Sequence, residues 1–332
     1  MSTSYETAGS GLFRCTATEL ARRLRCGEIS PVDVIESKAS RIEDVNPTIN
    51  ALPLLCLDEA RDQAQQMTNH NPPSDEKGPL WGLPFAVKDY NDLAGVGTTY
   101  GSPLLARNIA TESDATVRRL QDSGAIGKSN VPEWAGAHTF NPVFGHNLNP
   151  WSLKMSAGGS SGGSGAALAA GMVPLATGND LGGSLRVPAS FNSVVGLRPS
   201  PGRVPRGARL PAFDSLWVEG PMGRCVADVA LMLDGGAGFD PGDPLSFPHQ
   251  GESFVEALSS PSLPKRLAFS PDLGIVPVET EIAEICSAAA ERFRDIGADV
   301  SHVCPDFSGA VESFQTLRGV LIAQMMESLL AQ

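Results

Sequence analysis

The sequence predicts an α/β fold with a large mixed central β-sheet that is covered by helices on both faces. Apolar strands predicted at residues 84–87 and 125–130 flank a helix predicted at 113–122. The same alternation of strands and helices recurs through residues 193–197, 227–233 and 266–269. Because helices that connect the strands of one sheet pack on its faces, this order favours a sheet with two covered faces.

The first part of the chain predicts two helices, each with its own start signal. Thr16 and Glu19 have the spacing of a capping box, and Ser30 followed by Pro31 supplies an N-cap and a first-turn proline. Further along, the sequence predicts a strand at 49–56 that is interrupted by Pro53, a helix at 58–67 and a polar surface loop at 69–79.

The stretch from Gly158 to Pro188 contains two Gly-Gly-Ser turns with a small-residue helix and a buried strand, at 172–177, between them. Glycine permits positive φ angles and close approach of the backbone, so the two turns can present serine hydroxyls and N–H groups to one concavity. This combination is typical of a nucleophile with an oxyanion hole.

Lys88 follows the apolar run at 84–87, so it is predicted at the end of a core strand, with Asp89 on the opposite face. Burying a lysine is costly, and an isolated lysine at a strand end would extend its side chain to solvent. The family resemblance given next covers Lys88 and both serine turns together, and it favours the other interpretation, in which Lys88 is part of a site.

These motifs resemble those of the amidase signature family. The resemblance is carried by GGSSGGS at 158–164, GNDLGGSLRVPASF at 178–191 and FAVKD at 85–89, and it extends from about residue 16 to about residue 303. It implies the amidase signature fold and a hydrolase of carbon–nitrogen bonds other than peptide bonds. The expected substrate is a small-molecule carboxamide, with an ester, anilide or carbamate as related possibilities.

The resemblance also implies a role for each motif residue. Ser184 would be the nucleophile, Lys88 the general base, and Ser160, linked by a cis peptide to Gly159, the relay between them. The oxyanion hole would be formed by the backbone N–H groups of Leu181, Gly182, Gly183 and Ser184. The supporting residues would be Gly159, Ser161, Asp180 and Arg186, and the substrate pocket would include Trp134, Ala135, His138, Phe140 and Phe144. Plain core packing is an equal alternative for these aromatic residues.

Three departures from the family pattern affect supporting positions. Asn179 and Asn147 each stand where threonine is common, and Asn192-Ser193 replaces a frequent Cys-Gly. Because none removes a catalytic group, they bear on rate and specificity rather than on the type of reaction. Family members usually continue beyond the last predicted helix, so the fold expected from this sequence, which ends at Gln332, is shortened at the C-terminus.

One domain is expected over residues 1–332. It would consist of an N-terminal helical part at 1–68, a catalytic core at 80–234, a loop rich in glycine and proline at 235–251 that marks a subdomain boundary, and a C-terminal α/β part at 252–332. In that last part the spacing predicts a helix at 282–296 capped by Gly297, a strand at 299–303 and a final helix at 309–330.

Composition limits the partners and the compartment. There are 37 acidic against 25 basic residues, a net charge of −12, which disfavours binding to nucleic acid or to an anionic membrane. Six scattered cysteines without a C-x-x-C pair, and the lack of a leader or apolar span, predict a soluble cytoplasmic protein with reduced thiols. The expected cofactor and metal are none, and a homodimer is left open.

Other functions remain as alternatives. The chain could be the amidase component of a glutamine-dependent amidotransferase complex or an inactive remnant. Gly158-x-Ser160-x-Gly162 also matches the nucleophile elbow of a Ser-His-Asp α/β-hydrolase, with His249 or His302 as the base, but residues 147–154 make a poor preceding strand. His138 and His146 lie near no cysteine, so a metal site would have to assemble from distant segments.

Overall fold

The computed structural model describes residues 11–120, 123–207, 211–249 and 251–330. Its helices are α1 (Ala17–Arg25), α2 (Pro31–Ile49), α3 (Leu57–His70), α4 (Ala115–Arg118), α5 (Gly162–Ala169), α6 (Arg186–Asn192), α7 (Val226–Gly236), α8 (Phe254–Ala257), α9 (Thr280–Glu291) and α10 (Ala310–Leu330). Its strands are β1 (Leu54–Leu55), β2 (Pro84–Lys88), β3 (Gly124–Ser129), β4 (Phe140–Asn141), β5 (Gly145–His146), β6 (Leu148–Asn149), β7 (Ser152–Ser156), β8 (Leu175–Asp180), β9 (Val195–Gly196), β10 (Val218–Gly223), β11 (Arg266–Phe269) and β12 (Asp299–His302).

The central sheet has six strands in the order β1-β3-β2-β8-β10-β9. Strand β2 runs parallel to both β3 and β8, whereas β10 runs antiparallel to β8 and β9, and β1 antiparallel to β3. The sheet is therefore mixed, as predicted. Because β2 and β8 are parallel neighbours at its centre, their carboxyl ends reach the same edge.

Both faces of the sheet are covered, because successive side chains of β2 enter two different cores. Ala86 packs with a cluster that includes Ala167 and Leu168 of α5. Phe85 and Val87 point the other way, into a cluster that contains residues of α1, α2 and α7. This arrangement confirms the prediction of helices on both faces.

The two predicted N-terminal helices are present with the predicted caps. The Thr16 hydroxyl accepts a hydrogen bond from the Glu19 N–H, and Ser30 and Asp33 form a reciprocal capping box at the start of α2. Helix α2 continues to Ile49 and ends at Asn50, which has a left-handed backbone. The strand predicted at 49–56 is therefore wrong in extent, since only Leu54–Leu55 pairs with β3.

Two further predictions about strands need correction. The strand at 266–269 exists as β11, but it pairs in parallel with β12 in a separate two-stranded sheet and is not part of the central one. Strand β10 was not predicted, because its sequence, VEGPMG, lacks the apolar pattern of a core strand. Its Gly220 is needed for packing, since a Cβ there would come within 2.4 Å of the Leu197 carbonyl oxygen.

The chain divides into two compact units, Met1–Val255 and Glu256–Gln332. The first contains the central sheet, and the second contains β11, α9, β12 and α10. The final helix and the αL cap at Gly297 agree with the predicted elements. The subdomain boundary at 235–251 stays a prediction. Within the described residues, no helix combines the length and apolar character of a membrane span.

Candidate active site

Lys88 lies at the carboxyl end of β2, and its side chain is completely buried. Its backbone N–H donates to the Thr177 hydroxyl of β8 at 2.8 Å, which ties the end of one central strand to its neighbour. A side chain that extended to solvent would be exposed, so the sheet instead presents this amine to the interior.

The Lys88 amine is surrounded by three side-chain oxygens. Its Nζ lies 2.7 Å from the Ser160 Oγ, 2.8 Å from the Ser161 Oγ and 2.5 Å from the Asn179 Oδ1. The first serine motif and the Lys88 strand, which are distant in sequence, thus meet at one point. The structure thus brings together Lys88 and Ser160, the two residues for which the resemblance implies the roles of base and relay.

Burial lowers the pKa of the Lys88 ammonium to about 7, although the negative charges of Glu219 and Asp180 oppose the shift. A substantial fraction of this lysine is therefore a neutral amine at neutral pH. Only a neutral amine can accept a proton, so the environment makes Lys88 suitable as a base.

Ser160 is held by a backbone that only glycine permits. The peptide bond between Gly159 and Ser160 is cis, as the resemblance implies. A Cβ at Gly159 would lie 2.9 Å from the Gly136 and Ala137 carbonyl oxygens. The Ala137 segment thus lies directly against the turn that carries Ser160.

Helix α5 begins immediately after Ser161 and packs tightly on the sheet. A Cβ at Gly163 would come within 2.3 Å of the Asn130 nitrogen, so glycine allows the first turn of α5 to approach the end of β3. There Gly163 N–H donates to the Asn130 carbonyl. The glycines of this motif therefore place the two serines over the carboxyl ends of the central strands.

The Ser184 turn follows the end of β8 and lies next to the first serine motif. The Ser184 carbonyl oxygen accepts a hydrogen bond from the Ser161 N–H at 3.3 Å. Ser184 is partly exposed, whereas Ser160 and Ser161 are buried. Of the two serine turns, the second is thus the one that solvent reaches.

The four N–H groups predicted for the oxyanion hole differ in whether they already donate a hydrogen bond within the protein. The Gly183 N–H donates to the Asp180 carboxylate at 2.7 Å. By contrast, the N–H groups of Leu181, Gly182 and Ser184 donate no hydrogen bond to any residue that the structure describes. Within the described residues, three of the four predicted donors therefore have no protein acceptor.

The Asp180 carboxylate holds the Ser184 turn through hydrogen bonds and ion pairs. Its buried carboxylate also accepts from the Leu185 N–H at 3.2 Å, and it forms ion pairs with Arg186 at 3.0 Å and Arg198 at 3.1 Å. Burial would raise the pKa of this carboxyl, but the hydrogen bonds from Arg186, Gly183 and Leu185 outweigh it and the pKa is lowered. Asp180 is therefore ionised, and its buried carboxylate holds the turn, although the Arg186 side chain that pairs with it is 57% exposed.

Arg198 was not predicted for the site, because a single arginine outside the motif carries no local signal. Its guanidinium also donates to the Asp180 carbonyl and, at 2.9 Å, to the Leu216 carbonyl. It thus connects the Ser184 turn to the segment before β10.

Trp134 and Ala135, two residues predicted for the substrate pocket, both have left-handed φ angles, of 49° and 77°. The Ala135 N–H donates to the Tyr90 hydroxyl at 2.7 Å. The Trp134 ring stacks on Tyr100, and Tyr100 stacks on Tyr90, each at 5.2 Å between centroids. The Tyr90 ring in turn lies 4.8 Å from the Lys88 Nζ, so a continuous aromatic stack leads to Lys88. Tyr90 and Tyr100 were not identified from the sequence.

The remaining pocket residues are less closely tied to the site. His138 is exposed and contacts the Ser156 hydroxyl at 2.8 Å, and Phe140 is 55% exposed and stacks on His146. The Phe144 carbonyl accepts from the Asn50 side chain. In the described part of the chain, none of these three residues has a hydrogen bond or ring contact with Lys88, Ser160 or Ser184.

The histidines of the alternative hydrolase mechanism have partners outside the serine motifs. His249 contacts Arg203 and stacks on Phe254, and His302 binds Glu291 at 2.7 Å. Strand β7, which precedes the first serine turn, is an exposed strand of a two-stranded sheet rather than a core strand. The geometry therefore does not support a nucleophile elbow. No cluster of three potential metal ligands occurs among the described residues.

Comparisons with known proteins point to one family. The model of the family described as Amidase matches residues 33–325. An acylamidase of Rhodococcus erythropolis is 39% identical over 302 residues, which are 90% of this chain and 63% of the relative. A glutamyl-tRNA(Gln) amidotransferase subunit of Alkalilimnicola ehrlichii is 35% identical over 291 residues, which are 87% of this chain and 60% of the relative.

Among solved structures, a bacterial aryl acylamidase of the amidase signature enzymes superposes with a TM-score of 0.87 at 32% identity. The match covers 95% of this chain and 67% of that one. The likeness confirms the predicted fold class. The chain spans about three fifths of the length of the curated relatives named above.

Proposed function

The chain belongs to the amidase family, and we propose that it hydrolyses a carboxamide through an acyl-enzyme on Ser184, with Lys88 as the base and Ser160 as the proton relay. The observation that carries this proposal is the contact of 2.7 Å between the Ser160 hydroxyl and a fully buried amine whose pKa is lowered to about 7. What distinguishes Lys88 from an ordinary buried lysine is its contact with two serine hydroxyls, and its use as a base accounts for that contact.

In the proposed reaction, the Ser184 hydroxyl transfers its proton to Ser160 as its oxygen attacks the substrate carbonyl carbon. Ser160 passes its own proton to neutral Lys88, which becomes an ammonium. When the tetrahedral intermediate collapses, the C–N bond breaks and the proton returns through Ser160 to the leaving amine. Water then cleaves the acyl–Ser184 ester by the same route, and no step needs a metal or an organic cofactor.

The developing oxyanion would be bound by the backbone N–H groups of Leu181, Gly182 and Ser184. Each such donor typically contributes about 2.7 to 4 kcal/mol of transition-state stabilisation. Gly183 would belong to the same turn in a supporting role, because its N–H is held by Asp180 at 2.7 Å. Asp180 and Arg186 would keep the donors aimed at one point.

The proposed substrate is a small-molecule amide, with aryl amides and anilides as the first candidates. The partly exposed Trp134 ring supports this choice, since planar groups pack well on aromatic rings. Of the similar proteins, one is named an acylamidase and another an aryl acylamidase. Esters and carbamates remain related possibilities, because they present the same carbonyl carbon.

The function is tested by assaying the purified chain against aliphatic amides, aryl amides, anilides, esters and carbamates. We expect turnover of at least one carboxamide, with release of the amine and the acid in equal amounts. Ser184→Ala protein, purified in the same way, is the control for contaminating hydrolases. Absence of turnover on the whole panel, together with absence of covalent labelling at Ser184, would contradict the proposal.

The amidotransferase relatives are the basis of the second candidate, in which the chain works within a complex. Turnover by the chain alone favours the free-standing amidase, and turnover that requires added partner proteins favours the complex.

We further propose a cytoplasmic location, supported by six free cysteines and a net charge of −12. The absence of nucleic acid and membrane partners, and the open question of a homodimer, stay at the level of prediction.

The pH dependence of hydrolysis should report the ionisation of Lys88. Because the neutral amine is the base, kcat/KM should rise as pH increases through about 7 and then stay high. This midpoint lies well below the ordinary lysine pKa of about 10.5. The measurement is kcat/KM on a substrate that does not ionise between pH 5 and 9. A rate that falls on raising the pH through 7 would contradict a neutral-lysine base.

A further inference from the structure

Asn179 lies one residue before Asp180 on β8 and faces the Lys88 amine. Its side chain is 2% exposed, and its Oδ1 accepts a hydrogen bond from the Lys88 Nζ at 2.5 Å. Its backbone is fixed by antiparallel pairing with Glu219 of β10. Asn179 thus contacts the proposed base directly, although it is not among the residues predicted for the site.

The number of hydrogens on the Lys88 amine determines which of its neighbours the lone pair can face. Neutral lysine has two N–H donors and one lone pair, and three side-chain oxygens surround it. The Ser160 and Ser161 hydroxyls can each donate or accept a hydrogen bond, whereas the amide oxygen of Asn179 can only accept. One N–H must therefore point to Asn179, and the lone pair is confined to the two serines.

The Asn179 side chain makes no other hydrogen bond that competes with this one. Its Nδ2 is buried and has no hydrogen-bond partner among the residues that the structure describes. A buried donor without a partner is costly, commonly about 1 to 3 kcal/mol. The amide nitrogen therefore adds no hydrogen bond to the described part of the fold. The hydrogen bond from Lys88 to the amide oxygen is the polar contact that this side chain makes.

We propose that Asn179 is a positioning residue that directs the lone pair of neutral Lys88 toward the serines and stabilises the ammonium after proton transfer. This inference rests on the proposed function, in which Lys88 is the base. A threonine at this position would differ, because its hydroxyl can donate to the lone pair and draw it away from Ser160.

The other charged and titratable groups near Lys88 are the same in every Asn179 variant. A shift in the Lys88 ionisation can therefore be assigned to the substitution at Asn179. Glu219 of β10 and Asp180 of β8 are the carboxylates whose charges act on it, and the neutral Tyr90 ring lies on another side. Lys128 of β3 is paired with Asp89 at 3.1 Å. A carboxylate at position 179 would be closer to the Lys88 amine than any of these groups.

The experiment compares Asn179→Asp and Asn179→Leu, which have nearly the size of asparagine. The acid limb of kcat/KM is measured on an amide, and the ionisation of Lys88 is followed directly by NMR of protein labelled with ¹³Cε-lysine. The Lys88 resonance is assigned by its absence in Lys88→Met protein. The matched control is Asn147→Asp, which adds a carboxylate at another buried asparagine that contacts Ile49 rather than Lys88.

We expect opposite changes in the two variants. Asn179→Asp should move the Lys88 ionisation to higher pH by about one to three pH units, because a carboxylate in contact favours the ammonium. Asn179→Leu should move it to lower pH by about one unit and reduce kcat about tenfold or more, with KM within about threefold. Asn147→Asp should leave the Lys88 ionisation in place.

An unchanged Lys88 ionisation in both variants would overturn the inference, and so would a shift in the same direction in both. Each variant is interpreted separately, so one that does not fold leaves the other as the test. The NMR titration does not need activity. If the wild-type chain hydrolyses no amide but the opposite shifts occur, the proposed function fails and the role of Asn179 toward Lys88 stands.

Discussion

Replacing Ser184 with alanine should abolish hydrolysis, with a loss on the order of 10⁶-fold, as is typical when the nucleophile of a serine hydrolase is removed. The reason is chemical, because no other group in the turn could form the acyl-enzyme. The same substitution should abolish covalent labelling by a fluorophosphonate probe. Intact-mass and peptide mass spectrometry measure this directly, since the adduct adds a known mass to one residue.

Ser161→Ala is the matched control for the nucleophile. Ser161 lies 2.8 Å from the Lys88 amine but is buried at the start of α5, so it should not react with the probe. Labelling of Ser184 should therefore remain in this variant. An adduct on Ser160 or Ser161, with the Ser184→Ala protein still labelled, would instead assign the nucleophile to the first serine motif.

Much of the fold and the location of the site could be predicted from sequence, because the decisive signals are local. Glycines that permit close backbone approach, as at Gly163, and the apolar run that ends at Lys88 can both be recognised within a few residues. The mixed sheet with both faces covered follows from the order of strands and helices. The chain's membership in the family is confirmed on the same motifs.

What could not be predicted depends on contacts between distant segments. Strand β10 is specified by pairing with β8 and not by its own glycine- and proline-containing sequence. The aromatic stack on Tyr90 joins residues from two loops, and the Asp180 ion pair with Arg198 joins two turns. Asn179 could be recognised as a departure from the family pattern, but its contact with Lys88 required the geometry of the sheet.

Replacing Lys88 with methionine should reduce kcat/KM by at least about 10²- to 10⁴-fold, the range typical of a general acid–base group. Methionine keeps most of the length of the buried side chain but removes the amine, so packing should be nearly preserved. The acid limb near pH 7 should disappear from the remaining activity, because the group that titrates there is gone. Steady-state kinetics across the pH range measure both effects.

Lys38→Met is the matched control for this substitution. Lys38 is also completely buried, and burial lowers its pKa to about 7, but its amine donates to the Phe13 and Gly171 carbonyls, away from the serine motifs. Its loss should leave the acid limb in place and hydrolysis within about tenfold of the wild-type rate, roughly 1.4 kcal/mol.

The same small effect on hydrolysis is expected for substitutions of His138, His146, His249 and His302. A Lys88→Met protein with nearly wild-type rate, or an acid limb that vanishes with Lys38 or one histidine, would contradict Lys88 as the base.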